Sequence, residues 1–201
     1  ATGAQMTSAL REAGHEVCAF DTVRGRILDD VEEAALRDRG VEPDPPAGPW
    51  RDLIASGHLS TLLEDPRAGT ADVYALALHG GAGEDGTIQG VLQAAGLAFT
   101  GSDRIGCLLA MDKDVSKRLM RDADIATPRW ATDEFDAQRL IEEVGLPMVV
   151  KAANGGSSLR LERAGDPAEL DAALAAARQF QDRVVAEAWV TGREFTVGIV
   201  A

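Results

Sequence analysis

The stretch "DVYALALHGGAGEDGTIQGVLQAAG", residues 72–96, constrains this chain more than any other. An apolar run of strand length passes directly into His79 and a cluster of glycines. Glu84 and Asp85 follow, and a segment of helical period begins at Gly86. A connection that only had to turn could be made from ordinary turn residues. A short strand, "AFTG", comes next. Strand, helix and strand at this spacing mean parallel pairing through a right-handed crossover. Ligands of open parallel sheets gather at the carboxyl ends of the strands, where the segment 79–86 falls. The corner is therefore expected to bind something.

The flanking pattern extends this reading. A helix over 2–14 and a strand over 17–21 read as half of a βαβ unit whose first strand is missing. Residues 28–40 and 50–65 look helical. Between them "VEPDPPAGP" must be a loop, because its prolines fix φ and remove backbone donors. One long helix is expected over 103–124, ending at "IATP". Residues 1–112 form a parallel-sheet α/β domain on this reading.

Beyond that point the texture changes. A short strand, "RWATD", is followed by the helix "FDAQRLIEEVG", stopped at Gly145. The strand "PMVVKA" runs into the turn "NGGSS", and "LRLERA" pairs back as a hairpin partner. The next helix opens on Asp166 as N-cap and Pro167 at the first helical position. Two strands, "RVVAEAW" and "REFTVGIVA", complete the pattern. A hairpin mixed with helices makes residues 113–201 an α+β unit.

Composition narrows the function. The net charge of −13 argues against nucleic acid and anionic membranes, which attract basic patches. No signal peptide and no run long enough to span a membrane is visible. Cys18 and Cys107 match no metal spacing and sit among apolar residues, as expected of two reduced, buried thiols in a cytosolic protein. Both ends look interrupted: the chain starts without methionine inside a helical pattern, and its last strand needs neighbours on both sides. The chain reads as part of a longer polypeptide.

Several residues could carry chemistry. Lys151 ends an apolar strand just before "NGGSS"; its charge with glycine amides and serine hydroxyls could wrap a phosphate. A hairpin turn with a solvated lysine fits the same pattern. Lys113, in "MDKD", reads by itself as a surface lysine between aspartates, and Lys117 on the same helix is expected at the surface. Glu187 and Glu194 flank "AWVTGR" and could hold hydroxyls or be solvated hairpin charges. Glu84 and Asp85 could simply favour the dipole of the helix beginning at Gly86.

Taken in order, "LHGGAGEDGTIQG", "FTGSD", "AMDKDVSKRL", "IATP", "VVKAANGGSS" and "AEAWVTGREFTVGIV" resemble the D-alanine–D-alanine ligase family of ATP-grasp enzymes. The similarity is weakest at 23–70. It implies a parallel-sheet N-terminal domain followed by the first half of an ATP-grasp domain. It implies ATP and Mg²⁺ as cofactors, D-alanine as substrate, a cytoplasmic homodimer and a place in peptidoglycan synthesis. Lys113 and Lys151 would contact the ATP phosphates. The catalytic Ser157 and Ser158 would close over phosphates and substrate. Glu187, Ala188, Trp189 and Val190 would form the adenine hinge, and Glu194 would hold the ribose. His79, Gly80 and Glu84 would face the substrate. The metal ligands would lie outside these residues, leaving the chain alone inactive.

Three positions depart from the family pattern. It usually has proline after the loop lysine, an acidic residue before Gly-Ser-Ser and glycine two residues after it. Here these are Ala152, Gly155 and Arg160. They leave open a related ligase with another acceptor, such as D-lactate or another amino acid, and a degenerate nucleotide-binding module.

Overall fold

The structure, a computed structural model, describes residues 2–39, 59–132, 134, 136–155, 161–180 and 183–198. The chain divides into two compact units, Ala1–Leu108 and Leu109–Ala201. The expected proline-rich loop at 41–49 lies outside the described residues.

The first unit begins with the helix Thr2–Glu12. Strands β1 (Phe20–Asp21) and β2 (Arg26–Ile27) then pair antiparallel. This corrects the expected strand over 17–21, read as a member of a βαβ unit. Asp21 explains the outcome: its carboxylate accepts the Val23 amide at 2.8 Å and its carbonyl accepts the Gly25 amide at 2.8 Å. Such a side-chain turn reverses the chain at once. Helix Asp30–Arg39 follows, tied to the first helix by Arg11 and Glu33 at 2.7 Å.

Leu62, Ile88 and Leu92 form a small buried core, packed by Tyr74, Leu76, Leu78, Leu97 and Phe99. Tyr74 and Phe99 make the expected parallel pairing, but as a single bridge. The Tyr74 amide donates to Ala98 and the Thr100 amide to Tyr74, at 2.8 and 2.9 Å. At the next rung the Leu76 amide donates to the Thr100 hydroxyl, at 3.0 Å, in place of a backbone carbonyl. That side chain stops the ladder one step in. Helix Thr87–Ala94 then returns along the core.

The expected single helix over 103–124 is two helices, Arg104–Met111 and Lys113–Asp122. Asp112 separates them with extended backbone, φ −79° and ψ 107°. Its carboxylate accepts the amides of Asp114 and Val115, each at 3.1 Å. An aspartate that caps a new helix cannot also continue the old one.

The second unit is a four-stranded antiparallel sheet in the order β3-β6-β4-β5: Trp130–Thr132, Val184–Ala188, Met148–Ala152 and Glu162–Ala164. Helices Ala137–Val144 and Pro167–Phe180 pack on it. Asp136 and Asp166 cap them, accepting the amides of Arg139 and Glu169 at 2.8 and 2.9 Å. Leu140, Val144, Leu170 and Leu174 meet Met148, Val150, Val184 and Ala186 in the main core. Side chains alternate across a strand, so Val149, Lys151, Val185 and Glu187 take the opposite face. Of the expected hairpin partner "LRLERA", Glu162–Ala164 form β5, and 159–160 lie outside the described residues. The strand expected over 193–201 is not: residues 193–198 belong to no strand, and 199–201 lie outside the described residues. No described strand pairs with this segment, and Phe195 and Val197 are 75% and 82% exposed.

Candidate functional site

The sheet face opposite the main core gathers a cationic cluster. In the β4–β6 ladder Lys151 stands opposite Val185, and Glu187 is two residues further on the same face. Such diagonal neighbours are within reach of long side chains. The Lys151 ammonium donates to Glu187 Oε1 at 2.7 Å. The other carboxylate oxygen, Oε2, lies 3.0 Å from the ammonium of Lys117. Lys117 is therefore not the surface lysine expected from sequence: it is 6% exposed. It also donates to Thr127 Oγ1 at 2.6 Å and to the Pro128 carbonyl at 3.1 Å, and lies 5.2 Å from the centre of the Trp130 ring.

Lys113 completes the cluster and likewise departs from the surface reading. Its ammonium donates to the carbonyls of Gly155 at 2.8 Å and Ala153 at 3.4 Å, and its amide donates to the Ala153 carbonyl at 2.9 Å. This side chain thus fixes the start of the "NGGSS" turn. Burial pushes the Lys113 ammonium below the usual lysine range, and the nearby Lys151 charge adds to this, partly offset by Glu187 and Asp112. Burial pushes Glu187 up, but the hydrogen bond and charge of Lys151, then those of Lys117, outweigh it and hold the carboxyl below its usual range.

Buttresses surround the cluster. Asp114, 5% exposed, accepts the Trp130 indole N–H at 2.9 Å and Arg118 at 3.1 Å. Arg183 reaches Asp112 at 2.5 Å and Asp114 at 3.3 Å. These contacts fix the helix Lys113–Asp122 over β3 and β6. A compact set of cations in a strongly acidic chain is suited to hold a polyanion.

The stretch after β6 is open. The Ala188 amide donates to Arg129 and the Trp189 amide to Pro147, at 2.9 and 3.1 Å. Trp189 and Val190 are 43% and 66% exposed, and Arg163 stacks 5.6 Å from the Trp189 ring centre. Glu194 is exposed beyond them. Ser157, Ser158 and Arg160 lie outside the described residues.

In the first unit the Gly-rich corner is organised by Glu84. Its Oε2 accepts the Gly80 amide at 2.8 Å, and its Oε1 lies 3.8 Å from His79 Nδ1. His79 Nε2 lies 3.2 Å from Thr2 Oγ1. Gly80 has φ 69° and ψ 169°, a region open essentially to glycine alone. Glu84 therefore shapes the corner, whereas Asp85 serves the helix start, accepting the Thr87 amide at 2.9 Å. Gln89, which sequence reasoning did not single out, donates to the Gly83 carbonyl at 2.9 Å, and its Oε1 is buried with no hydrogen-bond partner. His79, Gly80 and Glu84 are thus brought together.

Cys18 is exposed and Cys107 half-buried, so neither is the fully buried thiol expected. Burial, aided by Asp103, pushes the Cys107 thiol up. Among the described residues no group of three or more His, Cys, Asp or Glu side chains could hold a metal ion, and no helix is long and apolar enough to cross a membrane.

The signal for Lys117 was present in the sequence. It lies four residues after Lys113, and residues at that spacing share a helix face.

Two family models match: "D-ala D-ala ligase N-terminus" over residues 1–102 and "D-ala D-ala ligase C-terminus" over 119–201. A D-alanine–D-alanine ligase of Alkalilimnicola ehrlichii is 46% identical over 127 residues, covering 62% of this chain and 41% of that protein. One from Pediococcus pentosaceus is 31% identical over 223 residues, covering 99% of this chain and 60% of that protein. The D-alanine–D-alanine ligase of Bacillus anthracis complexed with ATP has 32% identity and a TM-score of 0.59, covering 67% of this chain and 45% of that one. The chain thus spans about half the length of the curated relatives it matches. Its two halves match the two successive parts of one enzyme family in their order, and the chain belongs to the D-alanine–D-alanine ligase family.

Proposed function

We propose that this chain serves as an ATP-dependent ligase, joining two D-alanines through an acyl phosphate for peptidoglycan precursor synthesis, as a cytoplasmic homodimer. One observation carries the reading: Lys113, Lys117, Lys151 and Glu187 converge on one sheet face of a D-alanine–D-alanine ligase family chain. ATP supplies the phosphoryl group that activates the carboxylate of the first D-alanine. Lys151 and Lys113 offset the phosphate charge, the usual requirement for phosphoryl transfer. Ser157 and Ser158 close over the phosphates and exclude water from the hydrolysable intermediate. The backbone of Glu187–Val190 meets the adenine edge, and Glu194 holds the ribose hydroxyls. His79, Gly80 and Glu84 form the amino-acid side of the site. Residues 1–112 make the N-terminal domain and 113–201 the ATP-grasp part. The described residues do not fit a Mg²⁺ site by themselves, so Mg²⁺ enters only as the partner of the nucleotide.

The test is phosphate release by the full-length protein from Mg-ATP with D-alanine, and identification of D-alanyl-D-alanine among the products. D-Lactate and other D-amino acids run alongside D-alanine decide the acceptor. Phosphate release without any ligated product, or no response to D-alanine, would overturn the proposal.

A further inference from the structure

Glu187 faces two ammonium groups, and these are not equivalent. An ammonium has three N–H donors. Lys117 is held by protein on three sides: it hydrogen-bonds Thr127 Oγ1 and the Pro128 carbonyl at 2.6 and 3.1 Å and pairs with Glu187 Oε2 at 3.0 Å. It is buried and held over the Trp130 ring. Lys151 makes one hydrogen bond among the described residues, to Glu187 Oε1 at 2.7 Å, and its side chain is 20% exposed. Glu187 is 18% exposed at its side chain, too buried to stand unpaired cheaply.

We infer that Lys117 is a positioning residue: the permanent counter-ion of Glu187 that lets Lys151 turn from Glu187 to the phosphates of a bound nucleotide. The inference rests on the ATP reading above and deepens it. Lys117 does not touch the nucleotide, since it is buried and held by Thr127, Pro128 and Glu187. With Lys117 in place, Glu187 stays neutralised when Lys151 moves. Without it, Lys151 is the one ammonium still in direct contact with a largely buried carboxylate, Lys113 acting on it only through space, and the transfer of Lys151 to phosphate would leave that charge without a contact partner.

This makes a prediction that neither a direct phosphate ligand nor a plain structural role shares. Mg-ATP binding is measured by calorimetry on the full-length wild type, Lys117→Met, Glu187→Gln and the double variant, without D-alanine. Lys117→Met should weaken binding by about ten- to a hundred-fold, the worth of one charge-assisted contact. Adding Lys117→Met to Glu187→Gln should change affinity by no more than about twofold, the scatter of uncoupled sites. The second comparison decides the matter even if Lys117→Met alone fails to fold, because the double variant has no carboxylate at 187 to leave buried and unpaired. A further tenfold loss in the double variant would overturn the inference alone. Failure of folded wild-type protein to bind Mg-ATP would overturn both it and the functional proposal.

Discussion

Lys151 Nζ lies 2.7 Å from Glu187 Oε1, across a diagonal of the β4–β6 ladder. The pair explains why a lysine at a strand end and a glutamate on the next strand, each ambiguous by itself, belong to one site. Lys151→Ala should weaken Mg-ATP binding by about ten- to a hundred-fold. Arg139→Ala is the control, because Arg139 is 54% exposed and its pairs with Glu142 at 4.0 Å and Glu143 at 2.6 Å lie at the surface; such pairs contribute little. Calorimetric titration of both variants checks this. Equal loss in the two would show that Lys151 acts through general charge.

Glu187 also sets a pH dependence. Its folded-state pKa is depressed below the ordinary value of 4.5. A depressed carboxyl contributes stability above its unfolded pKa and loses it as pH falls through the folded value. Wild-type stability should therefore drop as pH falls below about 4.5. Glu187→Gln should show a shallower slope over that window, whatever its absolute stability. Urea denaturation at a series of pH values measures the two slopes, and parallel curves would contradict the role of the pair.

Asp112 should matter through its cap. Its carboxylate serves the amides of Asp114 and Val115 and receives Arg183. Asp112→Ala should cost about 0.5–2 kcal/mol, and Asp112→Asn should recover most of it, since asparagine caps equally well. Chemical denaturation of the two variants reads the difference. An equal loss in both would transfer the effect from the cap to the Arg183 ion pair.

Gly86 should resist substitution. Its φ is 91°, and an added Cβ would lie 2.5 Å from the Arg104 carbonyl oxygen. Gly86→Ala should destabilise by at least about 1 kcal/mol. Gly192→Ala, where a Cβ would meet nothing within 4 Å, should stay within about 0.5 kcal/mol of wild type. Thermal denaturation compares them.

Glu194→Ala should raise the Michaelis constant for ATP and leave that for D-alanine nearly unchanged. Steady-state kinetics in both substrates check this, and equal shifts in both would make Glu194 structural.

The pairing of β4 with β5, the capped helices at Asp136 and Asp166 and the stop at Gly145 were legible in the sequence; the caps and the stop rest on local chemistry, a carboxylate facing free amides and a glycine with φ 85°. The elements that differed from expectation turn on a single side chain doing something periodicity cannot show. Thr100 takes the Leu76 amide and ends a parallel ladder. Asp112 breaks a helix that hydropathy reads as continuous. The site divides the same way. Lys151 and Glu187 stood out by their place on strands, but the burial of Lys117 depends on Thr127, Pro128 and a strand seventy residues away. The segment 193–198 had a strand's alternation and lacks a described partner, which a pattern within one segment does not reveal.

The Arg183 contact with Asp112 joins residues 71 apart in the chain, Lys113 reaches Gly155 across 42, and Lys151 reaches Glu187 across 36. None of these can form early by local encounter, because each requires a long loop to close first. During synthesis or refolding the cationic cluster is thus assembled only after β6 has been placed between β3 and β4. On the proposed ATP-binding role, nascent or partly folded chains would lack the assembled cluster, and ATP would stabilise only molecules whose sheet is already complete.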